Sequence, residues 1–215
     1  MAVSDTLAGS RPRLRADAAR NRERILAAAR ETFVQHGPDA SLDEIARRAG
    51  LGNATLYRHF PDRTSLIKHV LLYVNQRIID KAQRAMEEQN DPFETLRGLV
   101  LDAAEERLGG LCSVLAPALD AEDAGLRESM RRMQEVTQQV IDRAHRSGQL
   151  RPDVDSGDLF LAIGRLTLPL PGTRCHDALL TRRHLQIFLD GLRTPVRSKL
   201  PGEPRTVADL KGEIC

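Results

Sequence analysis

Residues 41–60, SLDEIARRAGLGNATLYRHF, constrain the fold more than any other stretch of this chain. Ser41 with Glu44 three residues on is a capping box: the hydroxyl can accept from the Glu44 amide while the Glu44 carboxylate reaches back. Leu42, Ile45, Ala46 and Ala49 then recur at i, i+3, i+4 and i+7, the period of one buried helical face. Gly50 stands where the chain must leave that helix with positive φ, which glycine adopts without a Cβ clash. A second short helix can begin near Asn53 and bury Leu56 and Phe60, one turn apart. Ala46 is small where the two helices must cross closely. Two short helices across a glycine turn form a helix-turn-helix, whose second helix fits the major groove of DNA.

The rest of the chain is consistent with an all-α protein. It has 215 residues, 41% of them apolar, only 3% aromatic and no Trp, so a core must be built from Leu, Ala, Ile and Val. Helical periodicity recurs and no convincing strand alternation appears. The net charge of +2 is unevenly spread: residues 1–60 carry +3 and residues 61–215 carry −1. A basic front end suits a nucleic-acid reader. Residues 1–10 hold no apolar segment of signal-peptide length, and the longest uncharged stretch, residues 108–119, is too short to span a bilayer. A cytoplasmic protein without membrane association is therefore expected. Cys112, Cys175 and Cys215 fit neither a disulfide framework nor a zinc pattern, and neither metal nor cofactor is expected.

Residues 22–71, above all NATLYRHFP at 53–61, resemble the N-terminal domain of TetR-family transcriptional repressors. The segment GQLRPDV at 148–154, ahead of two helices, resembles the SbtR-like C-terminal region of some of these regulators. The resemblance implies an N-terminal three-helix DNA-binding domain followed by a helical ligand-binding and dimerisation domain. It also implies that Gly52, Asn53, Ala54, Tyr57 and Arg58 approach bases. Asn53 suits an adenine edge, Arg58 a guanine and Ala54 a thymine methyl. Thr55, Tyr57 and His59 match positions that bind phosphate, Ser41 can add its hydroxyl, and Arg63 stands where the family commonly has Lys. The implied partners are a double-stranded operator, a second copy of the chain and an unknown small-molecule effector.

Taken in order, residues 1–16 are expected to be a disordered basic arm. There Arg11, Arg13 and Arg15, with Arg20 and Arg22 just beyond, could track phosphates or enter the minor groove. Residues 17–65 form the reading domain, its first helix running from about Asp17 to His36. A helix from Asp62 to near Glu88 leads into the second domain, residues 66–193. There the next helix starts at Pro92 and ends at Gly109-Gly110, and a short apolar helix spans residues 111–119. Further helices run over about 123–147, 155–168 and 177–193. The last two resemble the family's dimerising pair, with Phe160, Ile163, Leu185, Phe188, Leu189 and Leu192 as interface candidates. Polar groups on apolar faces mark a candidate effector pocket: Tyr73, Arg77, Cys112, Gln134, Thr137 and Arg165, walled by Met130 and Met133. From Thr194, three prolines and few large apolar residues suggest a disordered tail over 194–215.

No phosphate-cradling glycine loop, HExxH, GxSxG or Cys/His cluster argues for an enzyme, and the adjacent Cys175 and His176 are read as fortuitous. The alternative function is a redox-responsive regulator that senses through Cys112 or Cys175.

Overall fold

The computed structural model describes residues 10–120, 122–168, 178–196, 198–207 and 209, and their regular structure is helical apart from a single antiparallel bridge between Leu150 and Arg193. The helices are α1 (Ser10–His36), α2 (Leu42–Arg48), α3 (Asn53–His59), α4 (Arg63–Glu87) and α5 (Pro92–Glu105). After them come α6 (Leu108–Leu115), α7 (Ala124–Arg146), α8 (Ser156–Leu166) and α9 (Ala178–Gly191), with a 3₁₀ turn at Ala116–Ala118. The helix starts are set by carboxylate and hydroxyl caps. Asp62, Asp91, Asp123 and Asp155 each accept from amides of the first turn, which otherwise lack partners. Pro92 opens α5, where a missing N–H costs nothing.

Ile25, Leu26, Ala29 and Phe33 of α1 close over Ile45, Ala46, Leu56 and Phe60, so α1 backs the α2–α3 pair. The apolar face of α4 then runs on through Leu66, Val70, Val74 and Ile78 into the second half of the molecule, where it packs on α5 and α7. Lys68 pairs with Asp123 at 2.6 Å and the Asn75 amide donates to Ser129 Oγ at 3.0 Å. A single rod thus joins reader and body.

Several boundaries differ from those expected of the sequence. α1 begins at Ser10, so the backbone carrying Arg11, Arg13 and Arg15 is helical, and their side chains lie outside the described ones. Helix α5 stops at Glu105, with Arg107 at φ 57°, before the glycines expected to end it. Gly109 lies inside α6 instead. A Cβ there would stand 2.7 Å from the Cα of Gly164, so its role is a close α6–α8 crossing. The tail is also docked: Arg151 Nη2 donates to Ser198 O at 2.7 Å, and Gly157 N donates to Arg205 O at 2.8 Å. Pro201 and Pro204 accompany a non-helical stretch over residues 198–206 whose carbonyls are free to accept, which is how this segment holds on. Cys175, His176 and Cys215 lie outside the described residues.

Candidate nucleic-acid interface

Helix α2 starts as its sequence implies, with Ser41 Oγ accepting from Glu44 N at 3.4 Å. The other half of the expected box is missing. Glu44 Oε1 turns instead to Arg48 at 3.4 Å, with His36 Nε2 at 3.8 Å, because side chains on the neighbouring surface compete for it. Gly50 has φ 64°, and its carbonyl accepts from Arg24 Nη2 of α1 at 3.3 Å, which pins the turn between α2 and α3.

Helix α3 has two distinct sides. Leu56 and the following Phe60 are buried and root it to α1, α2 and α4. Asn53, Ala54, Tyr57 and Arg58 fall at i, i+1, i+4 and i+5 and are exposed, Tyr57 to 49%. An exposed tyrosine beside an exposed arginine contributes nothing to this core. Gly52 precedes the helix without a side-chain cap, so the first amides of α3 are open to an incoming group. Thr55 and His59 flank the stripe, half-buried, and Arg58 Nη2 donates to Thr55 Oγ1 at 3.2 Å.

Two residues near the stripe make contacts that the local sequence does not signal. Asp43, the acid of the α2 first turn, accepts from Asn53 Nδ2 at 2.6 Å and so holds the leading polar side chain of α3. Arg63 belongs to the scaffold: its Nη1 donates to Pro38 O at 2.8 Å and Ala40 O at 2.5 Å, clamping the α1–α2 loop. That clamp depends on a loop 25 residues away, which no local pattern signals.

The remaining candidate residues scatter. Arg77 is bound through Nε to Glu106 Oε1 at 2.7 Å, with Tyr73 beside it. Met130 and Arg165 are exposed, and Met133, Gln134 and Thr137 are half-buried along α7. A cleft of about 290 Å³ lies instead between the end of α5 and the start of α9, lined by Leu101, Ala104, Arg107, Thr181, Arg182 and Leu185 among others. Burial pushes the Cys112 thiol up to about 11, which keeps it protonated, the opposite of a sensing thiolate. Of the interface candidates, Ile163, Leu185, Leu189 and Leu192 are in the protomer's own core, Phe188 is packed against it and only Phe160 is exposed. The outward large apolar residues of α8 and α9 are Phe160, Leu161, Leu179, Leu180 and Ile187. Both helices carry two apolar stripes, and periodicity alone does not say which faces in.

Among the described residues no helix is long and apolar enough to cross a membrane, and no cluster of three His, Cys, Asp or Glu side chains could hold a metal ion.

Comparison with known proteins agrees with this geometry. Residues 25–70 match the family of bacterial regulatory proteins described as tetR, and residues 90–194 match the C-terminal domain described as SbtR-like transcriptional regulator. The chain is 30% identical over 135 residues to the nucleoid occlusion factor SlmA of Marinobacter nauticus, covering 60% of this chain and 69% of that one. It is 46% identical over 57 residues to the uncharacterized HTH-type transcriptional regulator TtgW of Pseudomonas putida, which is 26% of this chain and 42% of the relative. The crystal structure of a TetR transcriptional regulator from Streptomyces coelicolor superposes with a TM-score of 0.61 at 33% identity, over 81% of this chain and 99% of that one. With its reading domain, its C-terminal domain and its whole-chain fold all matched, this chain belongs to the TetR family of DNA-binding transcriptional regulators, which are not enzymes.

Proposed function

We propose that the chain is a cytoplasmic repressor that binds a near-palindromic operator as a homodimer and releases it when a small molecule binds. The observation that carries this reading is the outward stripe of α3, polar and aromatic and rooted by two buried hydrophobic residues. Asn53 and Arg58 read adenine and guanine edges, and Ala54 meets a thymine methyl. Thr55, Tyr57, His59 and the Ser41 hydroxyl hold phosphates, and the bare backbone at Gly52 allows close approach. Arg63 is left to its loop clamp. Arg11, Arg13 and Arg15, on helical backbone, suit phosphate tracking better than the threaded minor-groove arm, which needs an extended chain.

One short helix reads too few base pairs, so two reading heads about 34–36 Å apart are required to meet successive major grooves. The face formed by Phe160, Leu161 and Ile187 supports the pairing, because large apolar groups exposed together on two adjacent helices favour burial against a second copy. The α5–α9 cleft is the best-supported effector site. Arg107 on its wall also pairs with Glu31 of α1 at 3.4 Å, so an occupant there touches a group that holds the reader.

Selection of bound duplexes from random sequence, followed by sedimentation of the complex, tests the reading. A near-palindromic site bound by two chains is expected. Absence of any sequence preference at low salt would refute it. Repeating the binding with candidate metabolites identifies the effector by release.

A further inference from the structure

Arg22 of α1 lies outside the helix pair that reads DNA, yet its side chain reaches the end of α3. Its guanidinium carbon stands 4.7 Å from the centroid of the Phe60 ring. That ring is fully buried, and His69 packs on it at 5.5 Å, with its own Nδ1 bonded to Ser65 O at 2.8 Å. The cation therefore rests on a fixed aromatic plate, an arrangement that favours planar arginine over lysine.

Arg22 is half-buried, and among the described residues it has no acceptor and no carboxylate partner. Other arginines of the same half of the molecule do: Arg20 pairs with Asp17, Arg30 with Glu106 and Glu31, and Arg48 with Glu44. His59 is held below the ordinary histidine range, first by burial and then by the charges of Arg22 and Arg58. From α4, His69 packs tilted against Phe60. Glu23, next to Arg22 in the chain, is exposed, and Asp62, the acid closest in sequence to His59, is occupied as the α4 cap, accepting from Ser65 N at 2.7 Å. Arg22 and Arg58 thus flank a neutral His59 imidazole at the end of α3 remote from Gly52, and among the described residues neither arginine has a carboxylate partner.

We propose that Arg22 is a phosphate ligand: a backbone phosphate of bound DNA seats between the Arg22 guanidinium and the His59 imidazole, so that α1 contributes directly to DNA affinity. The proposal rests on the reading of α3 as the DNA-reading helix. The stack on Phe60 holds the fork in place before DNA arrives, so little side-chain freedom is lost on contact. A phosphate there also favours imidazolium over imidazole, so complex formation takes up a proton at His59. Affinity should then strengthen as the pH falls from 8 towards 6, and weaken again as it rises.

The full-length protein and its Arg22→Gln and Arg22→Lys variants decide the matter, by fluorescence anisotropy on a selected operator and a scrambled duplex over a range of KCl concentrations. Arg22→Gln should reduce the slope of log affinity against log salt by about one unit per protomer, and weaken both duplexes by the same factor. Arg22→Lys should keep the slope while binding more weakly than wild type. His59 should titrate at higher pH in the wild-type complex than in the free protein. An unchanged slope and affinity in Arg22→Gln would overturn the proposal. So would weaker binding at an unchanged slope with a lowered melting temperature, which would make the Phe60 stack merely structural. If the wild type shows no preference between the duplexes, the proposed function fails instead, and the slopes on scrambled DNA still decide whether Arg22 holds phosphate.

Discussion

The side-chain amide of Asn53 donates to Asp43 Oδ1 across 2.6 Å, tying the first residue of α3 to the first turn of α2. This bond holds the Asn53 side chain in one direction before DNA arrives. It also keeps a carboxylate on a surface that must approach phosphate. Asp43→Ala removes both effects. Affinity for every duplex should rise as the negative charge goes, while discrimination at the Asn53 position falls by part of the roughly 1–3 kcal/mol that a two-pronged base contact supplies. Anisotropy titrations on duplexes altered at that one base pair measure both changes.

Arg58 stands on the exposed stripe, steadied by Thr55 Oγ1 at 3.2 Å. Arg58→Ala should erase preference at one position per half-site, about 1–3 kcal/mol, and leave the other positions alone. Four duplexes differing only there provide the test. Equal losses on all four would mean that Arg58 holds phosphate.

Glu106 is 2% exposed, and its two carboxylate oxygens are taken by Arg30 of α1 and Arg77 of α4. The next residue, Arg107, pairs with Glu31, so the α5–α6 junction grips α1 through two ion pairs of opposite sense. Glu106→Gln leaves two guanidiniums beside a neutral amide. Breaking a buried pair from one side costs about 3–5 kcal/mol, and the lower end applies because Arg77 is partly exposed. Urea unfolding should show a midpoint lowered accordingly.

Ile187 is 59% exposed on the outer face of α9, so a charge there disturbs no protomer core. Ile187→Glu should shift the protein to monomer in sedimentation equilibrium without lowering helicity. Operator affinity should fall with the dimer, because each half-site is then bound alone. A variant that stays dimeric would move the interface elsewhere.

Burial holds the Cys112 thiol up at about 11, against an ordinary value of 9.0. The unfolded thiol therefore loses its proton first as pH rises. Stability from this group is complete below about pH 9 and declines as the pH climbs to about 11. Iodoacetamide at pH 8 should leave Cys112 unmodified in the native protein and alkylate it in urea, as mass spectrometry of the peptide reports.

The features legible in the residues are those governed by near neighbours in the chain. Asp62, Asp91, Asp123 and Asp155 cap helices because the amides they satisfy lie within the next few residues. Gly50 and Gly148 have positive φ because the helix before each must end there, and the two sides of α3 follow from Leu56 and Phe60 being one turn apart. Each is a relation over a few residues, so local spacing carries it.

What packing alone decided joins residues far apart in the chain. Arg63 serves a loop 25 residues away, Arg30 meets Glu106 across 76 residues, and Gly109 is glycine because Gly164 crosses it. On α9 the same apolar period serves Leu185 and Leu189 inside and Ile187 outside, and only the placement of α5 and α8 selects between them. Arg22 is the clearest instance: in the chain it is one more arginine in a basic run, and only the docking of α1 over Phe60 puts it beside His59. Helix formation and its ends depend on bonds between neighbouring residues, whereas the partner of a long charged side chain depends on where whole helices come to rest against one another.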